Sequence, residues 1–156
     1  MGIDVTKAQN QGKQLSGYAG DLKSVRSDLV KFQSDLKQYW KAAEFSHIDA
    51  AINLILNKID FNIKEFGELE KHIVEAANAL YELEQAKKEL DSARGALDEA
   101  GRVRAEAQND RNNNPDNGHY RDRYERKKYE YNQAEGRFNA ADRRHAAASA
   151  KVNSMK

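Results

Sequence analysis

A seven-residue repeat runs from Gly118 to Lys156, and an earlier stretch carries its complement. Tyr124, Tyr131, Phe138, His145 and Val152 recur every seven residues, with Lys127, Ala134, Ala141 and Ala148 between them at alternating 3-4 spacing. The earlier ladder reads Ala79, Leu83, Ala86, Leu90, Ala93, Leu97, Ala100, Arg104, Ala107. Folding the chain back at Pro115 makes paired residue numbers sum to about 231 and sets large residues against small ones. Tyr131 then faces Ala100, Phe138 faces Ala93 and Ala141 faces Leu90. Such a seam fills without voids or overlap when the two helices run antiparallel. The expected fold class is therefore all-α, built of elongated antiparallel helical hairpins.

Charge agrees with the fold-back. Residues 68–99 hold nine Asp/Glu against four Lys/Arg, and residues 119–156 hold ten Lys/Arg against five Asp/Glu. Opposite charges flanking a seam favour pairing and set its orientation. Asn112-Asn113-Asn114-Pro115-Asp116-Asn117-Gly118 is polar and helix-breaking, and it supplies the turn. The third helix is expected from His119 to Ser154.

Upstream, Leu15, Tyr18, Leu22, Val25, Leu29, Phe32, Leu36 and Tyr39 keep 3-4 spacing and predict a first helix. Gly12, Gly17 and Gly20 weaken its first turns, so its firm part is expected near Leu22 and residues 1–12 are expected to be mobile. A second helix opens with Phe45, Ile48, Ile52, Ile55, Ile59, Ile63 and Phe66 on one face, and Ser46 with Asp49 has capping-box spacing. The pattern slips by one residue near Gly67, at Leu69 and Ile73. No stop signal follows before Asn112, although Gly67, Gly95 and Gly101 leave kinks open. A helix from Phe45 to Arg111 would be roughly 100 Å long. The expected organisation is a mobile segment 1–12, a hairpin over 13–75 and a coiled-coil-like hairpin over 76–156 with its turn at 112–118.

Around Trp40 the chain reads Tyr39-Trp40-Lys41-Ala42-Ala43-Glu44-Phe45 between two amphipathic helices. This resembles the WXG family of type VII secretion, small helical hairpins whose turn reads Trp-x-Gly. Ala43 and Phe45 match the small residue and phenylalanine that follow the motif. Ala42 stands where the family has glycine, which shifts the expected turn toward Ser46. The likeness covers about Leu15 to Tyr81, half of the chain. The greater length resembles the helical partner proteins that accompany LXG toxins. The resemblance implies a non-enzymatic partner, targeting protein or substrate of a bacterial type VII system, binding a toxin or sister protein. It also implies a C-terminal export signal, an aromatic residue four before an acidic one. Phe138 and Asp142 have that spacing near the C-terminus. Tyr131/Glu135, Trp40/Glu44, Phe45/Asp49, Phe61/Glu65 and Phe66/Glu70 share it.

The first hairpin carries more apolar surface than one neighbouring helix covers. A partner-binding face is expected at Phe32, Leu36, Trp40, Ile48, Ile52, Ile55 and Ile59, with docking as a four-helix arrangement. The alternative reading is a cytoplasmic coiled-coil adaptor or self-assembling scaffold.

Other chemistry finds little support. The chain has no cysteine, and His47, His72, His119 and His145 are scattered without helical metal-site spacing. The turn at Asn112 fails the calcium-loop pattern, since Asn117 replaces the required glycine and the last ligand position falls on Arg123. No enzyme activity, cofactor or metal is expected. Net charge is +1, so no global field draws the chain to nucleic acid, and the Arg121–Tyr129 basic run has the acidic ladder as a nearer partner. Met1 to Thr6 fits the short myristoylation pattern, with a polar, frayed terminus as the simpler reading. No N-terminal run resembles a signal peptide, so the chain is expected to be made in the cytoplasm and to reach the outside, if at all, without a cleaved leader. Membrane contact is expected only through secretion machinery.

Overall fold

The structure is a computed structural model that describes residues 4–40 and 45–155. It is all-α: α1 is Val5–Tyr39, α2 is Phe45–Asn113 and α3 is Gly118–Asn153, with no strand among the described residues. The chain divides into two compact units between Asn78 and Ala79. One pairs α1 with the first part of α2, and the other pairs the rest of α2 with α3. Helix α2 is unbroken through Gly67, Gly95 and Gly101. A single glycine costs a helix only about 1 kcal/mol, which 69 residues of helix absorb.

The N-terminal expectation is corrected. Helix α1 begins at Val5, inside the segment expected to be mobile. Asp4 caps it, its carboxylate accepting from the Lys7 backbone N–H at 2.9 Å. Gly12 then lies against α2: a Cβ there would sit 3.3 Å from Glu70 Cγ and from Val74 Cγ2. The glycine expected to weaken the helix instead permits close helix approach.

The inward face of α1 is also corrected. Its less exposed residues form two columns, Val5, Gly12, Ala19, Arg26, Gln33 and Ala8, Leu15, Leu22, Leu29, Leu36. The leucines are as expected. Tyr18, Val25, Phe32 and Tyr39 are not in the seam; they are exposed, and Ala19, Arg26 and Gln33 take their place. On α2 the matching columns are Phe45, Ile52, Ile59, Phe66, Ile73 and Asp49, Leu56, Ile63, Glu70, Ala77. Leu56 is buried where Ile55 was expected, and Leu69 is exposed. The stripe keeps its phase past Gly67 and changes only between Ala77 and Ala79.

Ser46 lies inside helix α2 rather than at its cap. Helix α2 already includes Phe45, and the Asp49 carboxylate turns toward α1. The tight-turn residues Lys41, Ala42, Ala43 and Glu44 lie outside the described residues, as does Met1-Gly2-Ile3 of the myristoylation pattern.

In the second hairpin every residue of both expected ladders is buried or partly buried. Tyr131 lies over Gly101, where a Cβ would be 3.6 Å from the ring. Three ion pairs tie α2 to α3 in one register: Lys151 with Glu82 at 2.7 Å, Arg144 with Glu89 at 3.1 Å and Arg123 with Asp110 at 2.5 Å. Their paired numbers sum to 233, two above the expected seam pairs, which is where positions just outside a seam paired near 231 meet. The offset suits charges that flank a seam rather than fill it. Two cations of α2 stack on α3 rings: Arg104 lies 4.0 Å from the Tyr131 centroid and Arg111 4.8 Å from the Tyr124 centroid, while the partly buried Lys127 pairs along α3 with Glu130 at 2.7 Å. At the turn, Asn114 donates to the Asp110 carbonyl at 2.9 Å, and Asn117 caps α3 by accepting from the His119 N–H at 3.0 Å.

Candidate partner-binding surface

The first hairpin has two unlike edges. One is polar. Gln33 donates to Asp49 at 2.7 Å and to Asn53 at 3.0 Å, and Asn53 donates to Asp49 at 3.4 Å. Lys37 reaches the same carboxylate at 3.1 Å. Further along, Arg26 grips Asp60 with two hydrogen bonds, at 2.6 and 3.1 Å. The Lys37 ammonium holds the Asp49 carboxyl below its usual range; partial burial opposes this, and the Gln33 and Asn53 amides reinforce it. The Arg26 guanidinium is pushed up by its hydrogen bonds to Asp60.

The other edge is apolar. Tyr18, Val25, Phe32 and Tyr39 recur every seven residues on the far side of the leucine column of α1. On α2, Ile48, Ile55 and Leu69 occupy the equivalent flank. In an antiparallel pair these flanks share one edge, and Tyr18 shows it by packing 6.5 Å, centroid to centroid, from Phe66. Phe32 is 53% exposed and Ile55 50%. Leu54 and Phe61 add exposed apolar surface on the outer side of α2.

The sequence-derived site residues therefore separate. Phe32, Trp40 and Ile55 are exposed, and Leu36 and Ile48 are partly buried. Ile52 at 5% and Ile59 at 8% are buried in the hairpin's own seam, so they hold it together instead of facing outward. Phe138 is partly buried in the second hairpin, and Asp142 is exposed one turn further along α3.

Hydrophobic spacing alone does not reveal the polar edge, because the aromatic column and the column of Ala19, Arg26 and Gln33 both adjoin the leucine stripe of α1. The signal was present as polar complementarity: Asp49, Asn53 and Asp60 sit at helical spacing on α2 and offer partners to Arg26 and Gln33.

No group of His, Cys, Asp or Glu able to hold a metal occurs among the described residues. Within them no helix is long and apolar enough to cross a membrane. No protein-family model, curated protein or solved structure matches the chain.

Proposed function

We propose that this chain is a non-enzymatic helical partner, targeting protein or substrate of a bacterial type VII secretion system, and that it binds a toxin or sister protein through its first hairpin. One observation carries the binding part of this reading. After the hairpin has closed its seam, Tyr18, Val25, Phe32, Tyr39 and Ile55 remain exposed on one edge. Burying such side chains contributes about 1.5–3 kcal/mol each, which favours association. The secretion part is supported by the Trp40-to-Phe45 segment between two amphipathic helices and by Phe138 with Asp142 on one face of α3.

Co-expression with the toxin or small helical protein encoded beside its gene tests this reading. The two should co-purify, and Phe32→Asp with Ile55→Asp should abolish that while helical content is retained. Asp142→Asn should stop secretion of the chain or its bound toxin, and Glu70→Gln should not. A wild-type chain that binds neither protein contradicts the reading. Binding without any dependence of secretion on Asp142 favours the coiled-coil adaptor, a reading suited to the opposite charges along the second hairpin.

A further inference from the structure

On its α1 side the apolar edge has a charged rim of one sign. Asp21, Asp28 and Asp35 recur every seven residues on α1, immediately outside Tyr18, Val25, Phe32 and Tyr39. All three are exposed, and none makes an ion pair among the described residues. This is unusual in a hairpin whose other edge spends its carboxylates on Arg26, Lys37 and two amides. We infer that the edge receives a helix from a different protein, with an apolar stripe flanked by lysine or arginine, and that Asp21, Asp28 and Asp35 select it. This inference deepens the partner-binding reading above and rests on it.

Area and charge point the same way. Tyr18, Val25, Phe32, Tyr39, Ile55 and Leu69 together expose roughly 600 Å² of apolar side chain, judging from the size of aromatic and aliphatic residues. A standard interface buries about 800 Å² per partner, so this edge plus its rim suffices for one docked helix or hairpin. A second copy of this chain is a poor occupant. Its α1 would bring three more aspartates to the rim. The corresponding rim of its α2 offers Ala51, Lys58, Glu65 and His72, with a single lysine beside a glutamate. Like charges across an interface disfavour a partner as effectively as missing contacts do.

The test uses the full chain and two synthetic helical peptides. Both carry the same leucine stripe; one is flanked by lysines and the other by glutamates. Fluorescence anisotropy at low salt should show the lysine peptide binding at least about tenfold tighter, with the preference shrinking as salt rises. Asp21→Asn, Asp28→Asn and Asp35→Asn together should remove the preference and leave helical content unchanged. Phe32→Asp with Ile55→Asp should remove binding of the lysine peptide. Equal binding of both peptides, binding of neither, or a preference that survives the triple Asn change overturns the inference. So does tight self-association, read by sedimentation, that Phe32→Asp abolishes. The secretion reading fails separately. A chain that prefers the lysine peptide but is not secreted and binds no co-encoded protein keeps this inference and loses that one. A chain that binds its co-encoded toxin without any charge preference does the reverse.

Discussion

The two hairpins of this chain solve the same packing problem with different means. In the second, ladders that alternate large and small residues on both helices are turned inward, so that large can be set against small across the seam. In the first, the leucine column of α1 is compatible with two neighbouring columns, one aromatic and one small or polar. The structure takes the small and polar column because α2 supplies Asp49, Asn53 and Asp60 to satisfy it. A size-matched seam leaves little apolar surface outside. A seam fixed by a polar edge leaves its large apolar residues for another use.

The largest effect expected from breaking this contrast comes from a pair of neighbouring isoleucines. Ile52→Asp places a carboxylate in the closed seam and should cost on the order of 4 kcal/mol or more, enough to melt the first hairpin in circular dichroism. Ile55→Asp, three residues away and half exposed, should change the melting temperature little. Equal losses would mean that both residues share one seam. In the second hairpin, Ala141→Phe should overpack a site only 7% exposed and cost about 1–3 kcal/mol by denaturant melts.

The second hairpin was legible in the sequence almost residue by residue, since each ladder residue carries its size complement at a fixed offset. The helices of the first hairpin were legible, but their rotation was not. Rotation there depends on which polar side chains find partners across the seam, and hydrophobic spacing does not report that. The start of α1 is not legible for a related reason: Gly12 is a weak helix former in isolation and a contact point once Glu70 and Val74 are beside it.

Acid should sharpen the comparison further. The Asp49 carboxyl is held below its unfolded value, so it adds stability above about pH 4, and that contribution is lost as pH falls through its lowered folded value. Thermal melts of Asp49→Asn should show a flatter decline over this acidic range than wild type. An identical acid profile would leave the polar edge with no part in stability. The smallest effect is expected from the second hairpin's exposed ion pairs. Glu89→Gln should cost less than about 1 kcal/mol, because Arg144 and Glu89 are largely solvated.

The most direct test asks which of two adjacent residues faces into the first hairpin. Tyr18 is 56% exposed and Ala19 is 8% exposed. The chain has no cysteine, so single thiols can be introduced without background. In the folded protein, Tyr18→Cys should react with a maleimide at nearly the rate of an unfolded peptide, and Ala19→Cys should react at least about tenfold more slowly. Protection of the thiol at position 18, with rapid labelling at position 19, would place the aromatic column in the seam and contradict the account.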